Sequence, residues 1–233
     1  MNEVVLLVVA KAPVAGLAKT RLAPAVGATN AARLAAAALL DTVDSVRAVP
    51  DTRPVVALTG DLSTAERAPE LTEALAGCTV IAQRGDDFGD RLANAHADVA
   101  ARFPGLAVLQ IGMDTPQVSP RLLTGAVVRL LADGAEAVLG PAADGGWWAL
   151  GLREPADAHV LRAVPMSRSD TGTRTLFALR GLGRRVRRLP TLSDVDTMAD
   201  AMRVAALAPE TRFAQAFAAL DHWLPRQLVE ARR

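Results

Sequence analysis

Short apolar runs rich in β-branched residues alternate along the chain with longer segments rich in Ala, Leu and Arg. This alternation is typical of parallel strands joined by crossover helices, and it predicts an α/β fold with a Rossmann-like, doubly wound, mostly parallel sheet. The predicted strands are Val4–Val9, Pro54–Leu58, Thr79–Ala82, Ala107–Ile111, Ala135–Leu139, Trp147–Leu152 and Arg185–Leu189. The predicted helices are Asn30–Arg47, Ser63–Ala76, Gly89–Arg102, Pro120–Ala132, Thr171–Leu179, Thr197–Ala206 and Glu210–Trp223.

Length and composition favour one domain in a reducing compartment. The 233 residues show no repeat, low-complexity linker or break in composition, so we predict a single domain over 1–224 and a charged tail over 225–233. The single cysteine, Cys78, cannot form an internal disulfide, and the apolar run Val4–Ala10 is too short to cross a membrane. The net charge of +1 and the 3% aromatic content argue against a nucleic-acid or membrane partner. We therefore expect a cytoplasmic protein, whose oligomeric state is left open.

The loop after the first strand carries a cluster of cations around a glycine. In sheets of this kind ligands bind outside the carboxyl ends of the strands, so loops that follow strands are the places to search for a site. Backbone N–H groups near Gly16, with the charges of Lys11 and Lys19 and the planar fork of Arg21, suit a polyphosphate. Neither a Walker A motif nor a dinucleotide fingerprint fits, and ordinary solvated cations are the competing explanation. The predicted phosphate-binding residues are Lys11, Gly16, Lys19, Thr20 and Arg21.

Carboxylates follow two of the predicted strands. Asp114 comes just after a fully apolar run, where one carboxylate beside a phosphate loop is enough to begin a Mg²⁺ site. Asp194 and Asp196 follow the last predicted strand, and only one of them is expected to face the metal. The competing explanation is that Asp196 or Thr197 caps the following helix. The predicted metal ligands are Asp114 with Asp196 or Asp194.

A turn-rich loop leads into the predicted strand that begins at Trp147. The paired glycines Gly145 and Gly146 let a ligand approach the backbone, and of the adjacent tryptophans one is expected in the core and one beside an acceptor pocket. A hairpin turn at Asp144-Gly145 explains the sequence equally well. The residues predicted to face the acceptor are Asp144, Gly145, Gly146, Trp147 and, from a later polar loop, Ser167.

The densest cationic run, Arg180–Arg188, is predicted to be a solvated edge strand rather than a ligand site. Its arginines alternate over both faces of a strand and cannot all contact one anion. His96, His159 and His222 are isolated and lack the spacing of a metal site. No serine lies in a nucleophile elbow, so the sequence gives no support to hydrolase chemistry.

Taken together, these segments make the chain resemble a bacterial glycosyltransferase-A-like family of the nucleotide-diphospho-sugar transferase superfamily. The chain departs from the family at Trp147-Trp148, where the family is rich in tyrosine, and at Met166-Ser167, where it has Trp-Ser. Both departures lie on the predicted acceptor side, so they bear on the acceptor rather than on the nucleotide. The resemblance spans nearly the whole chain and rests on Lys11-Ala12-Pro13, Gly16, Lys19-Thr20-Arg21-Leu22, Gly112-Met113-Asp114-Thr115-Pro116, Gly140-Pro141, Asp144-Gly145-Gly146 and Asp194-Val195-Asp196-Thr197.

The same skeleton is similar to nucleotidylyltransferases, including the guanylyltransferases of molybdenum-cofactor and deazaflavin-cofactor synthesis. In those relatives a basic loop after the first strand grips a nucleoside triphosphate, and aspartates matching Asp114 and one of Asp194 and Asp196 hold Mg²⁺. The resemblance implies the glycosyltransferase-A type of fold, a nucleotide-dependent transferase activity with Mg²⁺ or Mn²⁺ as cofactor, and Lys19, Arg21 and Asp114 as catalytic residues.

The charge of the first loop favours nucleotidylyl transfer, because a donor with three phosphates needs more positive charge than a sugar diphosphate. The expected partners are then a nucleoside triphosphate and a small phosphorylated or carboxylated acceptor, with pyrophosphate as product. A glycosyltransferase that uses a nucleotide-diphospho-sugar is the first alternative. A nucleotide-binding sensor or subunit without turnover is the second.

Overall fold

A computed structural model of the protein describes residues 4–222 and shows one seven-stranded sheet. The strand order is β3-β2-β1-β4-β6-β5-β7, and every pairing is parallel except those of β6, which runs antiparallel to both of its neighbours. The predicted α/β fold with a mostly parallel sheet is therefore confirmed. The strands are β1 (Val4–Lys11), β2 (Thr52–Thr59), β3 (Thr79–Ala82), β4 (Ala107–Gly112), β5 (Ala137–Pro141), β6 (Trp147–Leu152) and β7 (Val186–Arg188).

Helices cover both faces of the sheet. They are α1 (Ala23–Val26), α2 (Ala28–Arg47), α3 (Ala68–Leu75), α4 (Phe88–Arg102), α5 (Pro120–Leu131), α6 (Thr171–Gly181), α7 (Met198–Leu207) and α8 (Arg212–Ala218). Short 3₁₀ helices cover Leu62–Thr64, Pro155–Ala163 and Ala219–His222. Among the residues from 4 to 222, no helix is both long and apolar enough to cross a membrane.

Strand β1 lies in the middle of the hydrophobic core and is buried on both faces, as its unbroken apolar sequence requires. Val4, Leu6 and Val8 pack in one cluster with α2, α3 and α5. Val5 and Leu7 face the opposite cluster, which α4, α6 and the 3₁₀ helix before α6 complete. A third cluster joins the outer side of α2 to α7 and α8. The sheet is thus packed on both faces, and the loops at its carboxyl edge extend directly from the hydrophobic core.

Some sequence-based boundaries are wrong, and the reasons are local. The helix predicted from Ser63 begins only at Ala68, because Asp61 caps a short 3₁₀ turn and Arg67 then takes a left-handed conformation with φ of 56°. The strand predicted from Ala135 begins at Ala137. The last predicted helix divides into α8 and a 3₁₀ turn, and its predicted end at Trp223, like the tail over 225–233, lies outside the described residues.

Candidate functional site

The loops singled out in the sequence meet at the carboxyl edge of the sheet. The Val195 N–H donates to the Asp114 carbonyl at 2.8 Å, which ties the segment after β7 to the turn after β4. The Ala143 N–H donates to the Leu192 carbonyl at 2.8 Å, which ties the β5–β6 hairpin turn to the same segment. These backbone bonds hold two acidic segments and the glycine turn in one fixed arrangement.

Lys19 crosses from the loop after β1 to this acidic edge. Its Nζ lies 2.6 Å from Asp114 Oδ1 and also donates to the Val195 carbonyl. The Lys19 side chain is only 8% exposed, whereas that of Asp114 is 46% exposed. Lys19 also has a φ of 50°, a left-handed conformation that is uncommon outside glycine and is often found at functional sites. The structure therefore pairs a predicted phosphate ligand with a predicted metal ligand.

Arg21 makes a second pair of the same kind. Its guanidinium Nη1 donates to Asp196 Oδ2, and this bond, with the attraction of Asp196, raises the pKa of Arg21 above its ordinary value. Thr197, and not Asp196, caps α7, since Thr197 accepts from the Asp200 N–H in a capping box. The carboxylate of Asp196 is thus available to Arg21. Both members of this pair are at least one-third exposed, so solvent can compete for them.

Asp194 is a half-buried carboxyl group with a raised pKa. Burial, and to a smaller extent the like charge of Asp144, raise the pKa of Asp194 to about 6, while Lys19 opposes the shift. Asp144 therefore lies close enough to Asp194 and to Arg21 to influence both electrostatically. Sequence reasoning placed Asp144 only on the acceptor side. The structure adds it to the charged cluster that surrounds Asp194.

The rest of the loop after β1 is shaped by Gly16, whose φ of 78° only glycine adopts without strain. A Cβ at Gly16 would meet no atom within 4 Å, so the glycine is required by backbone conformation and not by crowding. The Lys11 N–H donates to Met113 Sδ at 3.2 Å, and the Lys11 side chain is exposed. Thr20 is also exposed in the turn before α1.

The β5–β6 hairpin confirms the turn expected at Asp144-Gly145 and packs tightly against residues 169–172. Asp144 Oδ1 accepts the Gly146 N–H at 2.8 Å. A Cβ on Gly145 would lie 1.9 Å from the Ser169 carbonyl oxygen, and one on Gly172 would lie 2.4 Å from that of Gly146. The two segments consequently leave no room for side chains between their backbones. The hairpin and the start of α6 form one wall of the site.

The adjacent tryptophans separate as their alternation predicts. Trp148 is buried in the cluster below α5, and its Nε1–H donates to the Pro190 carbonyl at 2.9 Å. Trp147 is partly exposed and packs against the cluster on the other face of the sheet. Ser167, in the polar loop before α6, has a φ of 58° and is exposed. Of these two rings, Trp147 is therefore the one that a ligand could contact.

Sequence reasoning missed two glutamines that organise this edge. Gln117 Nε2 donates to the Ser193 carbonyl and so holds the acidic segment against the turn after β4. Gln83, just after β3, donates to the carbonyls of Ala10 at 2.7 Å and Ala57 at 2.8 Å, which ties the ends of β1 and β2 together. For Gln83 the available signal was an amide placed where an apolar run stops.

The oxygen-rich turn after β4 fits a divalent cation that binds together with phosphate. Thr115 Oγ1 and Gln117 Oε1 are buried without a hydrogen-bond partner in the same turn as Asp114. Within residues 4–222, no three Asp, Glu, His or Cys side chains are placed to hold a metal by themselves. Mg²⁺ commonly uses one or two carboxylates with substrate phosphates and water, so this donor set suits Mg²⁺ better than a structural metal.

The arginine-rich segment lies at the edge of the sheet on β7. Arg185 Nε donates to the Gly134 carbonyl at 2.7 Å, and Arg187 donates to that of Asp133 at 2.7 Å. Arg184 instead makes a two-point pair with the buried carboxylate of Asp157. Each of these three arginines therefore contacts a nearby carbonyl or carboxylate of the same part of the protein.

Comparison with known proteins agrees with this architecture. The family described as "Uncharacterized protein conserved in bacteria (DUF2064)" matches residues 42–168, more than half of the chain. A crystal structure from Desulfovibrio desulfuricans G20, whose name assigns it provisionally to the nucleotide-diphospho-sugar transferases, is 25% identical with a TM-score of 0.82. The match covers 95% of this chain and 96% of that one. No curated protein sequence matches the chain.

More distant solved structures share the fold. A nucleotidyl transferase from Methanothermobacter thermautotroptrophicus is 18% identical with a TM-score of 0.53, covering 91% of this chain and 100% of that one. The CMP:2-keto-3-deoxy-manno-octonic acid synthetase complexed with CTP is 16% identical with a TM-score of 0.53, covering 89% and 99%. The superfamily resemblance inferred from the sequence is confirmed.

Proposed function

The chain belongs to the DUF2064 family of bacterial proteins, and we propose that it is a metal-dependent transferase that uses a nucleotide-activated donor, most favourably a nucleotidylyltransferase. One observation carries the proposal: cations suited to phosphate and carboxylates suited to Mg²⁺ contact each other at the carboxyl edge of the sheet. The names of the structural neighbours support a nucleotide-using transferase.

In this proposal the loop from Gly16 to Arg21, with Lys11, binds the donor triphosphate. Lys19 supplies a point charge, and Arg21 supplies a fork that can hold two phosphate oxygens. Mg²⁺ or Mn²⁺, when bound by Asp114 with Asp194 or Asp196, would neutralise negative charge on the phosphates. These side chains position and neutralise, and no covalent bond to the enzyme is required.

The acceptor side of the proposed reaction is the wall formed by the hairpin and the loop before α6. An oxygen of an acceptor phosphate, carboxylate or hydroxyl attacks the α-phosphorus in line, and the bond from that phosphorus to the bridging oxygen breaks. A hydroxyl acceptor would give up its proton to solvent water. Pyrophosphate leaves with that oxygen. Asp144, the backbone of Gly145 and Gly146, Trp147 and Ser167 would contact the acceptor.

Glycosyl transfer is the second candidate, because the Desulfovibrio neighbour is named for nucleotide-diphospho-sugars and Trp147 offers an apolar surface beside the site. In that case the same loop would bind the diphosphate of the donor, and Trp147 would pack on the sugar. The two candidates differ in what is released.

The test is a thermal-shift screen of nucleoside triphosphates and nucleotide sugars with and without Mg²⁺, followed by product detection with candidate acceptors. Release of pyrophosphate supports nucleotidylyl transfer, and release of a nucleoside diphosphate supports glycosyl transfer. Stabilisation without release of either product indicates the non-catalytic sensor and contradicts the proposal.

Affinity measurements on loop variants add a second discrimination. A charge-assisted hydrogen bond contributes roughly 1.5–3 kcal/mol, so Arg21→Ala should weaken the best triphosphate by about tenfold to a hundredfold. Arg21→Lys should also weaken it, because a point charge replaces a planar fork. We expect a smaller loss for the best nucleotide sugar, which carries one phosphate fewer. Equal losses for both ligands would remove the argument for nucleotidylyl over glycosyl transfer.

A further inference from the structure

The ammonium group of Lys19 lies among the carboxylates that the proposed function assigns to a metal ion. It contacts the Asp114 carboxylate at 2.6 Å and the Val195 carbonyl, and it lies close enough to Asp194 to lower that residue's pKa. A divalent cation held by Asp114 and Asp194 would need the same negative charge. Lys19 and such a cation therefore compete for one partner.

The pairing also occupies the cations that the proposed function assigns to phosphate. The Lys19 side chain is almost fully buried, so its ammonium is directed to Asp114 instead of being free in solvent. Arg21 is engaged by Asp196 in the same way. The two ion pairs thus join each cation of the site to a carboxylate of the site. In this arrangement Lys19 and Arg21 are not fully available to phosphate, and Asp114 and Asp196 are not fully available to a metal ion.

We propose that metal and polyphosphate bind to this protein by exchange of the Lys19–Asp114 ion pair, so that each ligand frees the group that the other requires. The inference rests on the proposed function for the identity of the two ligands. A cation that takes Asp114 releases Lys19 toward phosphate, and a polyphosphate that takes Lys19 releases Asp114 toward the cation. Because such coupling is reciprocal, it must appear in both directions.

The structure explains why the pair can exchange at all. Asp114 is nearly half exposed, so a hydrated cation can reach its carboxylate without opening the core. The Val195 N–H bond to the Asp114 carbonyl holds the backbone of the two acidic segments in place during the exchange. Only side-chain contacts have to change.

The experiment uses calorimetry to measure the affinity of each ligand in the absence of the other. The variants remove either Lys19 or Asp114 from the ion pair. Mn²⁺ is titrated without phosphate, and inorganic tripolyphosphate is titrated in the presence of a chelator. Lys19→Met should bind Mn²⁺ about tenfold more tightly than the unmodified protein, because Asp114 is released. Asp114→Asn should bind metal-free tripolyphosphate more tightly by a similar factor, because Lys19 is released.

Controls separate exchange from a general change in charge. Arg180→Met removes one exposed charge near the end of α6 and should change neither affinity by more than about twofold. In the double variant Lys19→Met/Asp114→Asn, Mn²⁺ should bind no more tightly than in Asp114→Asn alone, because the Lys19 effect acts through Asp114. If Lys19→Met tightens Mn²⁺ equally in both backgrounds, the effect is long-range charge and the proposal is wrong.

The two titrations keep the proposal testable even if one of the variants folds poorly. If Lys19→Met is unstable, the tripolyphosphate titration of Asp114→Asn still decides, and an affinity equal to or weaker than that of the unmodified protein overturns the exchange. The result of the titrations does not depend on which reaction the protein catalyses. Pyrophosphate release without reciprocal tightening refutes the exchange alone, and reciprocal tightening without any product refutes the proposed reaction alone.

Discussion

Two polar pairs attach other parts of the chain to β4, one in its middle and one just beyond its carboxyl end. In the middle, His96 Nε2 on α4 lies 2.9 Å from Gln110 Oε1, and both residues are buried. Beyond the end, Lys19 pairs with Asp114, whose carboxylate is open to solvent. Burial lowers the pKa of His96 to about 4, so the inner pair is neutral at neutral pH, whereas the outer pair is ionic.

The difference separates a structural contact from an exchangeable one. A neutral buried pair has no competitor, because neither water nor an ion can reach it, and removing one member leaves the other unsatisfied. A charged pair with one solvent-exposed member can be replaced by ligands that offer each member a better partner. Changes at the inner pair should therefore affect stability, and changes at the outer pair should affect ligand binding and turnover.

The largest expected effect is the loss of turnover in Asp114→Asn. We expect a loss greater than the roughly 10-fold to 100-fold typical of groups that only support a metal ligand, with little change in the melting temperature. Asp194→Asn and Asp196→Asn should differ sharply from each other, because only Asp196 is engaged by Arg21. Steady-state kinetics and thermal unfolding of the three variants provide the measurement. Unfolding of Asp114→Asn would show that the outer pair is structural too.

The inner pair should behave in the opposite way. His96→Leu leaves the Gln110 amide buried without its partner, and we expect the free energy of unfolding to fall by about 1–3 kcal/mol. Turnover per folded molecule should stay within about twofold, since His96 lies away from the sheet edge. The double variant His96→Leu/Gln110→Leu should regain part of the stability in urea unfolding. A loss of turnover in folded His96→Leu protein would remove the distinction between the two pairs.

The pH dependence of stability gives a smaller effect. The pKa of Asp194, about 6, is raised above its ordinary value of 3.8, so between these values the folded state binds more protons and stability falls as pH rises. With allowance for solvent screening at this half-buried group, we expect Asp194→Asn to recover about 1 kcal/mol at pH 7 relative to pH 4.

His96 has the opposite sign, because its pKa is lowered from 6.5 to about 4 and the unfolded state binds more protons between these values. Stability from His96 is complete above pH 6.5 and is lost as pH falls toward 4. The measurement is therefore the difference between the unmodified protein and Asp194→Asn in urea unfolding at each pH, in which the His96 contribution cancels. Asp86→Asn, at an exposed position before α4, is the matched control. A flat difference across the range would contradict the raised pKa of Asp194.

The smallest expected effect is at the edge strand β7. Replacing Arg185 and Arg187 together with Gln should leave turnover within a few fold, because both side chains donate to nearby carbonyls of the same edge. Kinetics of the double variant at two ionic strengths measure this. A large loss would extend the site to β7 and weaken the contrast between the sheet edge at the loops and the rest of the molecule.

The fold was largely predictable from the sequence because short β-branched runs such as Val4–Val9 alternate with longer helical segments, a pattern typical of a mostly parallel sheet. The site was predictable as a set of loops, since residues after parallel strands share one edge of the sheet. The pairing of Lys19 with Asp114 was not predictable, because it depends on how loops far apart in the sequence pack together. Alternation along β6 required that Trp147 and Trp148 face opposite ways, but which one enters the core depends on the space left by Gly140.

The antiparallel direction of β6 has a consequence for how this chain can change in length. A hairpin needs no crossover helix, so residues 142–146 connect the two strands and also carry the candidate site residues Asp144, Gly145 and Gly146. Because side chains alternate with a period of two, an insertion of one residue there would turn the strand over unless a bulge absorbed it. Trp148 would then leave its place beside Gly140, where a Cβ would lie 2.5 Å from the indole, and would lose its hydrogen bond to the Pro190 carbonyl. We expect the loop to tolerate paired insertions and to reject single ones.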